Sequence, residues 1–136
     1  MHQWTRWPLR ITSSLAALLL FNQAVFAGQF LSGTFPALQN HRDNATYAGI
    51  AVLAAAVAAA LIRWPGGGPI WPVPAFLALL GLITVQITLG FLRVLAVHIP
   101  LGVTIIVAAL LLAAWSWRYR PAASPIREAE PVGARS

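Results

Sequence analysis

The chain of 136 residues contains no cysteine and no lysine, three acidic residues and one methionine. Without cysteine, disulfides, zinc–thiolate sites and iron–sulfur clusters are excluded. Charged residues make up 9% of the chain, against the roughly one quarter that a water-facing surface carries. An ordinary soluble enzyme is excluded on that ground. The acids are Asp43, Glu128 and Glu130, so no paired carboxylate exists within an apolar segment. There is also no activated-serine motif and no phosphate-cradling glycine loop, and catalytic activity is not expected. Between Arg10 and Arg118 the charged residues are Arg42, Asp43, Arg63 and Arg93, all near segment edges. With no ionisable group at mid-span, ion pumping is a poor fit. The net charge of +6 is spread over loops and ends rather than gathered in a stripe, which argues against a nucleic-acid partner.

What is present is apolar sequence, at 59% of the chain. A membrane-spanning helix needs roughly 20 such residues. Four stretches qualify: about 11–31, 45–62, 73–92 and 99–117. Unpaired backbone groups are costly in lipid, so these stretches are expected to be helices, and no alternating polarity suggests a barrel. The expected fold is all-α: a polytopic membrane protein built as an antiparallel four-helix bundle, its partner the lipid bilayer. Residues 1–10 read as a cytoplasmic N-terminus, 11–118 as the membrane domain and 119–136 as a disordered cytoplasmic tail. Arg6, Arg10, Arg63, Arg118, Arg120, Arg127 and Arg135 lie on one side, and Arg42 and Arg93 on the other. The positive-inside rule then predicts a multi-pass protein of the cytoplasmic membrane with both termini inside. All the tryptophans gather near that same boundary: Trp4, Trp7, Trp64, Trp71, Trp115 and Trp117.

The expected connections are the polar run Gln39 to Asn44 after Gly33 and Pro36, the stretch Pro65 to Pro74, and a short link at Val94 to Val97. Pro100 is placed in the first turn of the fourth helix. Residues 1–27 also fit a signal peptide, with a basic start, an apolar run and Val25-Phe26-Ala27 at a suitable cleavage position. Apolar sequence running on to Leu31 favours a retained span. Asn44-Ala45-Thr46 matches the glycosylation acceptor pattern, which requires Asn44 at the surface. Zero lysine with abundant alanine and arginine looks more like a GC-rich bacterium, where that pattern is idle.

The two halves share landmarks. Gln23, Gly28 and His41 precede an apolar helix ending at Arg63-Trp64, and Gln86, Gly90 and His98 precede one ending at Trp117-Arg118. A small residue, Ala45 or Gly102, follows each histidine by one helical turn. These landmarks fit either a duplicated hairpin with parallel repeats or chance resemblance between alanine-rich spans.

His41 and His98 are the main chemical candidates. Both fall at the outer end of an even-numbered helix, so their imidazoles are expected at similar depth. Two such rings could hold one metalloporphyrin as axial ligands, with Ala45 and Gly102 leaving room for a flat macrocycle. Arg42 and Arg93, on the same side, could pair with its propionates. The plainer reading makes the histidines interfacial and Arg42 and Arg93 solvated or snorkelling. Gln23 and Gln86 lie near the middle of the odd-numbered spans. There they serve as interhelical hydrogen-bonding amides or as contacts for a quinone or other small ligand. Gly28, Gly33, Gly81 and Gly90 read as points of close helix approach.

Leu38-Gln39-Asn40-His41-Arg42 and the segment Gln86 to Gly102 resemble one four-helix half of the haem A synthase family. The family's His-Arg pair is matched by His41-Arg42. Its Gln-x-x-x-Gly pattern ahead of a histidine that opens the last helix is matched by Gln86, Gly90 and His98. The resemblance implies an antiparallel bundle with haem-binding histidines near the outer surface. It departs in two ways. The family has two such halves, and its catalytic half carries a glutamate three residues before the first histidine, where this chain has Leu38. The family's oxidation chemistry is therefore not implied. What the resemblance implies is haem b held by His41 and His98, for electron transfer, sensing or haem handling. The competing expectation is a small membrane subunit without cofactor, acting through a membrane protein partner or as a homo-oligomer.

Overall fold

The computed structural model describes residues 6–64 and 66–120. The N-terminal residues 1–5, Pro65, and the expected disordered tail from 121 onward lie outside the described residues. Four helices follow in order: α1 (Trp7–Leu31), α2 (Ala37–Arg63), α3 (Pro72–Phe91) and α4 (Leu95–Arg118). Each is long and apolar enough to cross a membrane, and the chain is a multi-pass bundle. No strand occurs among the described residues.

Three of the four helices, α1, α2 and α4, extend beyond the apolar runs. The polar stretch Gln39 to Asn44 is not a connection but part of the first turns of α2. Polar side chains at a membrane edge reach interfacial water, so they need not end the helix. Gln39 Nε2 donates to Asp43 Oδ1 at 2.8 Å, one turn along the same surface. The link between α1 and α2 is therefore only residues 32–36. Likewise α4 opens at Leu95, which moves Pro100 past the first turn and into the helix. Pro100 cannot donate to the carbonyl one turn back, so the helix there lacks one bond. The tight α3–α4 turn is closed by Val94 N–H donating to Leu89 O at 3.0 Å and Arg93 N–H to Gly90 O at 3.2 Å. It puts Arg93 at φ 57°, the left-handed position where glycine normally ends a helix.

Packing follows a ring. α1 lies against α2 and α4, and α3 lies against α2 and α4, so α2 and α4 stand diagonally across the bundle. The α1–α2 contact is the most extensive. Small side chains line the interior: Ala16, Ala48, Ala55, Ala59 and Ala109 are all buried. Large ones such as Ile11, Phe21, Ile50, Leu77 and Leu111 are exposed. This inversion suits lipid, where apolar side chains gain nothing by hiding and close backbone approach supplies the attraction.

The hairpins share a burial register. Ala48, Val52, Ala56 and Ala59 of α2 are buried, and so, at one constant offset, are Ile105, Ala109, Ala113 and Ser116 of α4. Ser13, Ala16 and Leu20 of α1 correspond in the same way to Phe76, Leu79 and Ile83 of α3. Continuing both stripes by one turn reaches Gln23 and Gln86.

The end carrying the tryptophans is closed by specific polar contacts. Ser13 and Ser116 share a buried hydrogen bond of 2.9 Å between α1 and α4. The Arg10 guanidinium donates to the carbonyls of Ser116 and Trp117 at 3.3 Å each, capping the last turn of α4. It lies 5.1 Å from the Trp117 ring and 5.7 Å from the Trp7 ring. Trp117 Nε1 donates to Ser14 Oγ at 3.0 Å. Trp71 meets Trp115 edge to face with ring centres 4.5 Å apart, and Trp115 stacks on Tyr119 at 5.1 Å. Part of the one-sided aromatic belt therefore has a packing reason: Trp7 and Trp117 join α1 to α4, and Trp71 joins the start of α3 to Trp115 of α4.

Candidate functional site

At the opposite end of the bundle the structure brings the two histidines together. His41 sits near the start of α2 and His98 near the start of α4. Their ring centres are 6.3 Å apart and their planes are inclined by 57°. Each is half-buried. Diagonal helices running in one direction bring equivalent positions to equal depth, which is why residues 57 positions apart along the chain (98 − 41) meet.

Each ring is held by the other helix of its own hairpin. His41 Nδ1 lies 3.1 Å from Gln23 O, and His98 Nδ1 lies 2.9 Å from Gln86 O. A carbonyl only accepts, so Nδ1 carries a proton in both rings, and in the neutral imidazole that leaves the lone pair on Nε2. A metal-ligating histidine has the same arrangement, its outer N–H given to a carbonyl that fixes ring and tautomer.

Beyond this shared bond the hairpins differ. Gln86 Nε2 donates to His98 O at 2.7 Å, so one glutamine grips both the ring and the backbone of His98. Gly90 lies against that ring: a Cβ there would come 3.1 Å from His98 Cε1. Gly102 has a use other than leaving room for a macrocycle, since a Cβ there would lie 2.8 Å from Gln86 Nε2. Its space is taken by the amide. In the first hairpin neither Nε2 nor Oε1 of Gln23 has a hydrogen-bond partner among the described residues, although both atoms are buried. Ala45 stands where the second hairpin has Gly102.

Arg42 and Arg93 are exposed at this same end. The Arg42 guanidinium lies 5.8 Å from the Phe91 ring, across α2 and α3. Of the other glycines expected at helix contacts, Gly28 and Gly81 are exposed, and a Cβ on Gly28, Gly33 or Gly81 would have nothing within 4 Å. The residue matching Gly90 by burial register is Ala27, not Gly28. Asn44 is a further correction. It is buried, and its Nδ2 donates to Leu19 O at 2.8 Å, so it ties α2 to α1 and is closed to glycosylation.

Sequence reasoning passed over Asn44 as a tie, and also Ser13, Ser116 and Arg10. A polar residue at one-turn spacing within an apolar stripe was the available signal. Among the described residues no three His, Cys, Asp or Glu side chains gather. The imidazole pair is thus a two-donor set. It suits a metal whose remaining ligands arrive with a planar macrocycle better than a bare tetrahedral ion. No family model, no curated protein and no solved structure matches the chain.

Proposed function

We propose that the chain is an integral membrane haem b protein with His41 and His98 as its two axial ligands, serving electron transfer, sensing or haem handling. The observation that carries this reading is the imidazole pair itself: 6.3 Å between ring centres, with each Nδ1 engaged by a main-chain carbonyl. Two imidazoles on one metal, each bonded at about 2.0–2.1 Å, have ring centres a little over 6 Å apart, so the spacing fits. With Nδ1 donating, Nε2 is the nitrogen left to act as donor atom in each neutral ring.

When bound, haem would supply one-electron exchange at its iron. The residues of the chain set the conditions. The carbonyls of Gln23 and Gln86 hold the rings and raise their basicity as donors. The short 32–36 link and the α3–α4 turn keep both helix starts at one depth. Arg42 and Arg93 stand at the rim as guanidinium forks suited to carboxylates. Arginine distribution supports an orientation with this rim outside and both termini in the cytoplasm.

The test is an absorption spectrum of the detergent-purified protein, oxidised and dithionite-reduced. A sharp Soret band is expected, abolished by the double variant His41→Ala/His98→Ala. A colourless protein from haem-supplied cells overturns the reading and leaves the cofactor-free membrane subunit in its place.

A further inference from the structure

We infer that Gln86 is a positioning residue that makes His98 the fixed member of the imidazole pair and leaves His41 as the exchangeable one. As a statement about haem ligands, this rests on the reading above.

Gln86 closes a ring of two hydrogen bonds on one residue. Its main-chain oxygen accepts from His98 Nδ1 at 2.9 Å, and its side chain donates to His98 O at 2.7 Å. To turn away, the His98 ring must break the first bond, and to shift with its helix it must break the second. Gly90 supports one side of the ring, where a Cβ would lie 3.1 Å from Cε1 and 3.4 Å from Nδ1. His41 has one such bond, at 3.1 Å.

The missing half of the first clamp has a local cause. A Cβ at position 102 would lie 2.8 Å from Gln86 Nε2, so any larger residue there would push the amide off the position from which it makes the tie. Ala45 carries that Cβ at the matching position, and the buried Gln23 amide is left without a partner. The two histidines thus differ in that His98 is held at its ring and its backbone, and His41 at its ring alone. Buried polar groups held at both ends rigidify, and those held at one end do not.

Two readouts test this on the full chain in detergent. In haem-free protein with 15N-labelled histidine, the Nδ1 proton of His98 is expected to exchange about tenfold or more slowly than that of His41, the ratio that one extra hydrogen bond supports. Gln86→Leu erases the difference, and Gly102→Ala, which displaces the amide without removing it, does so by a second route. Gln23→Leu leaves it intact. In haem-loaded protein, His41→Ala retains haem with an altered, five-coordinate spectrum, whereas His98→Ala loses it. Gln86→Leu weakens haem binding about tenfold, the equivalent of one hydrogen bond, and Gln23→Leu does not. Equal exchange at the two rings, or retention of haem by His98→Ala and not by His41→Ala, overturns the inference. If the unmodified protein takes up no haem, the cofactor reading falls, while the exchange ratio still decides whether the clamp exists.

Discussion

The hairpins α1–α2 and α3–α4 share one buried stripe, wider on α2 than on α4, and each places a histidine on the same kind of carbonyl, yet they are held together differently. The first has the wider contact, along an alanine-rich face, with Asn44 tied to Leu19 as its polar link. The second has less contact and a glutamine that grips its histidine twice. In lipid, close packing and buried hydrogen bonds are the two available sources of helix attraction, and each hairpin leans on a different one. The difference turns on small groups. Gly102 admits the Gln86 amide and Ala45 offers no such space, while Gly90 admits the His98 ring where the first hairpin has Ala27.

That contrast can be broken most strongly at Gly90. Gly90→Ala is expected to destabilise the bundle by about 1–2 kcal/mol net, since overpacking costs about 1–3 and helix propensity recovers up to about 1. Gly28→Ala, exposed and open, is expected to be neutral or stabilising by less than about 1 kcal/mol. Reversible unfolding in mixed micelles compares the two. A cost at Gly28 equal to that at Gly90 would refute the assigned register.

The glutamines come next. Gln86→Leu is expected to lose about 0.6–2 kcal/mol with its interhelical bond. Gln23→Leu is expected to gain about 1 kcal/mol in haem-free protein, because its buried amide is unpaired. The same unfolding measurement reads both, and a loss at Gln23 would mean that its amide is satisfied. Asn44→Leu is expected to cost about 0.6–1.7 kcal/mol, while Leu101→Ala, at the matching position of α4, touches no polar link and changes only packing. The smallest effect belongs to Arg10→Leu, at about 1 kcal/mol or less. It removes a partly exposed cap on α4 together with its contacts to Trp7 and Trp117. Its marker is red-shifted tryptophan fluorescence, and an unchanged spectrum would argue against the aromatic closure.

Much of this was legible before folding. The apolar runs located four helices, and the landmarks His41 and His98 already marked one depth. Helix edges were less legible: Gln39 to Asn44 is polar enough to read as a loop, yet a helix at a membrane edge accommodates it. Pro100 appeared to open α4 because proline favours a first turn, but Leu95 to Ile99 already supplies one. Gly28 looked like the mate of Gly90 because both are glycine, although the shared register pairs Gly90 with Ala27. The sequon at Asn44 was misleading for a related reason. A short pattern carries no information about which side of a helix its asparagine occupies.

Composition and spacing alone settled that the chain crosses a bilayer four times, since the polar backbone of an apolar stretch must bond to itself in lipid and, without alternating polarity, a long helix is the way to do so. Docking of the helices decided the rest: that α2 and α4 stand diagonally, that their imidazoles lie 6.3 Å apart, and that Gln86 is tied while Gln23 is not. Those outcomes depend on distances of a few ångströms between residues remote in the chain. Only packed side chains set such distances.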